Sequence, residues 1–184
     1  MSTLAEQLDW TGIPVPPALE GLDSSAKAAV AVYVKEVVDK KTDGLNELYH
    51  AIGMIVKYIP HFIVIPLMVE HIRPQIAAGV CITMGVDQAV HYANDLPVEY
   101  FSEVSKHLDD TLMGQIFEKM KRHHAEKVIQ HELRNHLSHM LGIAAHLDGK
   151  LLQYIAKQVN LPDRTEELQN HPHRDIIEKL RTMQ

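Results

Sequence analysis

The chain is short of several things at once. It holds one cysteine, Cys81, in 184 residues. No internal disulfide is possible, and no cysteine-based zinc site can form within one chain. Aromatic residues amount to 5 %, so a core must be mainly aliphatic. Positive charge is not in excess. The net charge of −6 gives no global attraction to nucleic acid or to acidic membranes. Long apolar runs are missing too. The most apolar stretch, "YIPHFIVIPLMV" from Tyr58 to Val69, contains two prolines and His61 and is too short to span a bilayer. It reads as a buried helix. The first residues, "MSTLAEQLDW", lack the basic start of a secretory signal. There is no G-x-S-x-G, no phosphate-binding P-loop and no dinucleotide fingerprint. These absences lead to the expectation of a soluble, cytoplasmic chain with no nucleic-acid partner and no membrane insertion.

What is present is a period. Leu96, Leu108 and Met120 stand twelve residues apart, and the series extends backwards to Met84 and Ile72. Four residues before each anchor lie Met68, Val80, Tyr92, Val104 and Ile116. Seven before are Ala77, Ala89, Phe101 and Met113. Offsets of 0, −4 and −7 share one face of an α-helix. Further on the spacing stretches, giving Leu133 with Ile129, then Leu147 with Ile143 and Met140. Breaks recur at the same phase: Pro74, Gly85, Pro97, Asp109-Asp110 and Asp148-Gly149. Proline inside a helix costs about 3 kcal/mol, so Pro74 and Pro97 are expected to start helices. The pattern predicts an all-α fold, a superhelix or bundle of about eight or more short antiparallel stacked helices. Cys81, beside Val80 in "GVCITM", reads as a small buried apolar residue.

The segment "DLPVEYFSEVSKHLDDTLMGQIFEKM" resembles the short-helix repeats of the N-terminal cytoplasmic domain of MgtE-type magnesium transporters. A similar superhelix occurs in the flagellar motor switch protein FliG. The resemblance spans about Ile72 to Leu147 and rests on spacing and turn chemistry. It implies the fold and a regulatory or scaffolding role; transport is not implied.

One helical domain, 1–184, is expected. Residues 1–23 form an arm with the stiff connector "TGIPVPP", 24–160 the helical core, and 161–184 a C-terminal loop and helix. Thr3–Leu8 and Asp175–Met183 read as short helices. Ser24 is the expected N-cap of the helix in "SSAKAAVAVYVKEVVDKK". The polar stretch "NLPDRTEELQNHPHRD" reads as a loop or weak helix.

Thirteen histidines are many, and all but His171 and His173 lie between His50 and His146. His71, His107 and His146 each precede an anchor by one, which places them beside the buried stripe. Glu103 with His107, and Glu132 with His136, are i, i+4 pairs able to hold a divalent ion or to form surface pairs. The sequence has one Glu-x-x-His, Glu47 to His50, and no His-Glu-x-x-His. "QHELRNHLSHMLG" is similar to the phosphoacceptor box of sensor histidine kinases. That resemblance would make His131 the acceptor, with Glu132 activating its imidazole, although His136 stands where the box has proline. Residues 95–118 hold six carboxylates and one lysine, whereas "KRHHAEKVIQHELRNH" is basic and gains charge as pH falls through about 6.5.

Three functions follow as expectations. The first is a helical protein-interaction or regulatory module without catalysis, needing no cofactor and engaging a protein partner or a second copy of itself. The second is a histidine phosphotransfer or dimerisation module with His131 as the acceptor. The third is a divalent-metal-binding protein or enzyme using Glu103, His107, Glu132 and His136.

Overall fold

The helices of the central region begin at 74, 86, 98, 110 and 122, which is the twelve-residue period made physical. In the computed structural model, which describes residues 3–161 and 172–183, the fold is all-α, and no strand occurs among the described residues. The chain divides into two compact units, Met1–Asn46 and Glu47–Gln184.

The first unit holds α1 (Leu4–Leu8), a 3-10 turn (Asp9–Thr11), α2 (Pro17–Glu20) and α3 (Ser24–Thr42). Thr3 and Glu6 form a reciprocal capping box on α1. Leu4 and Leu8 are buried where α1 packs on α3. The cap of α3 is Asp23, not Ser24: its carboxylate accepts the Ala26 N–H at 2.9 Å. No residue of α3 is fully buried, and Val32, Tyr33 and Val37 are exposed.

The second unit contains α4, which starts at the unit boundary (Leu45–Val56), then α5 (His61–His71), α6 (Pro74–Met84), α7 (Val86–Ala93) and α8 (Val98–Ser105). It continues through α9 (Asp110–Lys119), α10 (Arg122–Asn135), α11 (Leu137–Ala144), α12 (Gly149–Gln158) and α13 (Arg174–Thr182). Helices two apart in sequence stack in rows. α6, α8, α10 and α12 form one row; α7, α9 and α11 form the other, and α13 packs on α11 and α12. Each turn is set by its residues. Pro74 occupies the first turn of α6, and Pro97 caps α8. Gly85 reverses the chain at φ 82°. Asp109 caps α9 by accepting the Leu112 N–H at 2.8 Å.

The anchors fall where the chain turns. Leu96, Leu108 and Met120 are 5 %, 8 % and 7 % exposed, just beyond the ends of α7, α8 and α9. With Phe101, Met113, Ile116, Ile129, Met140, Ile143 and Leu147 they form one continuous core. Leu133 departs from this rule. No proline, glycine or acidic turn follows it, so α10 runs on to Asn135 and leaves Leu133 half-buried inside the helix.

The larger correction concerns Tyr58–Val69. It does form most of a helix, α5, but the helix is not buried: only Val64 is, while Phe62, Ile63, Leu67 and Val69 are exposed. Hydrophobicity alone cannot specify burial without a neighbour to bury against. The segment 162–171, read as a loop or weak helix, lies outside the described residues.

Leu108→Ala should lower unfolding free energy by about 2–5 kcal/mol, measured by urea denaturation. A loss near 0.5 kcal/mol, the scale of a surface change, would contradict its place in the core. Gly79→Ala should also destabilise, by about 1–3 kcal/mol, because its new Cβ would overlap the ring of Tyr49 from α4.

Candidate functional site

The repeat pattern holds from α7 onward and fails at its beginning. Ile72, the first anchor, is 38 % exposed, and its companions Met68 and Met84 are only half-buried. The positions that equivalent helices cover further along the stack are here uncovered. They line a cavity of about 260 Å³.

Two helices frame this cavity against α6–α9. α4 sits close to α6 because glycine permits it: Gly53 faces Val80 and Met84, and Gly79 accepts the Tyr49 ring. α5 is fastened at its two ends. At its start, His61 Nδ1 lies 2.6 Å from Asp95 Oδ2, and the imidazole stacks on Tyr92 with ring centroids 4.5 Å apart. Just past its end, the Tyr100 hydroxyl donates to the Ile72 carbonyl at 2.8 Å. Between these ties Pro66 interrupts the helical hydrogen bonds. α5 thus runs along the space like a strap held at both ends.

The lining is aliphatic. Ile52, Val56 and Ile59 come from the α4 side, Ile63 and Leu67 from α5, and Ile76 and Val80 from α6, with Phe101, Leu108 and Ile116 of the buried core completing the lining. No charged side chain lines it. Ser105 is satisfied, since its hydroxyl donates to the Ser102 carbonyl at 2.7 Å. Burial pushes the Cys81 thiol up to about 11, so it stays protonated at neutral pH and behaves as the apolar group the sequence suggests. Such a space favours an uncharged apolar occupant, because an unpaired polar group inside it would lose its water without compensation. An apolar cavity of about 150 Å³ already admits a benzene ring.

Behind the cavity wall lies a polar cluster at the junction of α8, α10 and α11. Glu132 is 0 % exposed, and its Oε2 lies 3.1 Å from His139 Nδ1. Burial opposes its ionisation, but the hydrogen bond from His139 and the nearby Ser102 hydroxyl outweigh that and hold the carboxyl below its usual range. The His139 imidazole is correspondingly raised, chiefly by its hydrogen bond to Glu132, against the opposing effect of burial. Oγ of Ser102, Oε1 of Glu132 and Nε2 of His139 are buried without a direct partner among the described residues. These groups do not line the cavity, so the cluster locks three helices together.

The residues singled out in the sequence are spread apart. Glu103 is exposed and paired with Lys106 at 2.6 Å. His107 is exposed, and His136 is half-buried. Among the described residues no group of three or more His, Cys, Asp or Glu is placed to hold a metal ion. The half-buried His131 ring stands 6.3 Å from that of His136, while Glu132 turns inward to His139. His124 is half-buried, and burial, then His123 and Lys127, lowers its pKa. It therefore gains charge at lower pH than the basic segment's sequence implies. His139 and the His61–Asp95 pair carried no sequence signal. Glu132 and His139 are seven apart across a helix break, and His61 and Asp95 are joined only by the tertiary fold. Comparisons with protein-family models, with curated proteins and with solved structures give no match for this chain.

The His139 shift has a testable sign. A raised imidazole pKa contributes stability fully below about pH 6.5 and loses it as pH rises through the elevated value. The lowered Glu132 pKa contributes above about pH 4.5 and loses it as pH falls through the depressed value. The stability gap between wild type and Glu132→Gln should be widest between those limits and narrower at alkaline pH, in urea titrations across pH. His139→Ala should cost about 3–5 kcal/mol near pH 6, because it leaves the buried carboxylate alone.

Proposed function

We propose that this chain is a protein-interaction module without catalysis of its own, and that it engages its partner through the apolar face of α4, α5 and α6. One observation carries this reading: at the first repeat of the stack the anchor positions line an uncharged apolar cavity, and Ile63, Leu67, Ile72 and Ile76 of its lining remain exposed. Among the described residues, the exposed large apolar side chains run from Trp10 to Ile82 and stop there. The surface beyond is polar, as a surface in permanent contact with water is.

The rim supports the same reading. Leu48, Ile52, Ile55 and Ile59 form an i, i+4, i+7, i+11 stripe on and just beyond α4, and Ile52 and Ile59 also line the cavity. On α5, Ile63 and Leu67 do so too, beside exposed Phe62. A folded partner element could lie across these stripes and place a side chain in the space between them. A scaffolding or regulatory role is also what the MgtE-like repeat pattern implies. Among the described residues, no helix is long and apolar enough to cross a membrane, so a lipid-spanning role for this face has no support.

A photo-reactive residue at position 67, set against one at exposed Lys157 on α12, tests the reading in cells that make the protein. Protein adducts from position 67 in large excess over position 157 are expected. Equal yields, or adducts with lipid alone, would remove the basis for a protein-docking face.

A further inference from the structure

Resting on that docking reading, we infer that the occupant of the cavity is a second copy of this chain, in a two-fold dimer that pairs α5 with α5 antiparallel and seats Phe62 of each copy in the cavity of the other.

The first argument is that the face carries both halves of a fit. Phe62 is 78 % exposed and projects from the first turn of α5. The exposed residues among those lining the cavity are Ile63, Leu67, Ile72 and Ile76, and three of these four stand from the middle of α5 onward. A two-fold contact brings a patch against itself, so a protruding group and a hole on one patch satisfy each other twice. Residues 62 and 72 are separated by about 15 Å along a helix axis. An antiparallel α5 pair with its axis near Leu67 brings each end opposite the other. Phe62 is also the right chemistry, a ring with no polar atom entering a lining with no charge.

The second argument is architectural. Stacked-helix proteins need terminal units with polar outer faces, because an end repeat has no neighbour to bury its core side. Taken by itself, the second unit has an apolar α4–α6 end. End-to-end association of two copies would set one such end against another.

The third argument is area. Leu48, Ile55, Tyr58, Phe62, Ile63, Leu67, Ile72 and Ile76 are among eleven large apolar residues exposed between Leu48 and Ile82. Together they present an apolar surface on the order of 800–1,000 Å². That sum is comparable to the roughly 800 Å² that each partner buries in a stable complex.

The test uses the purified full chain. Light scattering and sedimentation should give twice the chain mass at about micromolar concentration, and Phe62→Lys should return the mass to one chain with an unchanged helical signal. Cys81 lines the cavity, so its alkylation by a neutral maleimide should be several-fold slower in the dimer than in Phe62→Lys. Leu67→Cys in a Cys81→Ser background keeps the apolar face and should form an interchain disulfide under mild oxidation, while Lys157→Cys in that background should not. This variant decides the question should Phe62→Lys fold poorly. A wild-type chain that stays monomeric at high concentration overturns the dimer, as does a dimer that Phe62→Lys leaves intact and that Leu67→Cys does not link. If the monomer nevertheless yields position-67 adducts with a different protein in cells, the dimer is overturned while the docking reading stands. If it yields none, both fall.

Discussion

Everything in the second unit depends on one constraint: helices of eight to eleven residues, such as α6 to α9, cannot persist in water by themselves. Isolated helices need about 12–15 residues even when rich in alanine. Each short helix therefore exists only because its neighbours two places before and after it bury its apolar stripe. The twelve-residue spacing is the length of one such unit, one short helix plus the turn that reverses it. The anchors fall at the turns because a large apolar group there is shared by the helix it ends and the helix that follows. That is why Leu96, Leu108 and Met120 are buried although none lies within a helix.

This makes clear which parts of the molecule a sequence reader can see. The all-α fold, the starts of α6 and α8 at prolines and the burial of the central anchors were legible, because each follows from side-chain period and local turn chemistry. The strap was not. "HFIVIPLMV" is as apolar as any core helix, and no local rule distinguishes a helix covered by its own chain from one left open. The cavity likewise arises from how α4 and α5 sit against α6, which depends on Gly53 and Gly79 admitting Val80, Met84 and the Tyr49 ring. Glu132 was noticed for the wrong neighbours. Its i, i+4 partner His136 lies on the same helical turn, but the chain breaks at His136 and α11 returns His139 instead. Tertiary return defeats helical arithmetic at such a break.

The polar groups are distributed with the same logic. At the well-covered part of the stack a buried carboxylate is tolerated because His139 faces it. A charge there is costly to leave alone, so the pair ties the register of α8, α10 and α11 more than it adds net stability. At the open end the polar ties are of another kind. His61–Asp95 and Tyr100–Ile72 lie at the surface, where each contributes little energy but fixes where the ends of α5 stand.

The two halves of the second unit thus answer different demands. From α7 onward, apolar side chains are satisfied within the chain, and its outer surface is polar. From α4 to α6, the same residue types are held in position by glycines, a proline and edge hydrogen bonds without being covered. Simple instability would be expected to collapse α5 onto the cavity, because closing it would bury Ile63, Leu67 and Ile72 at once. The ties at both ends fix where α5 stands, and Pro66, having no N–H, leaves one helical hydrogen bond unmade within it. Under the docking proposed above, the uncovered apolar surface is completed by another molecule, and a second first-repeat of the same shape is the occupant inferred for it.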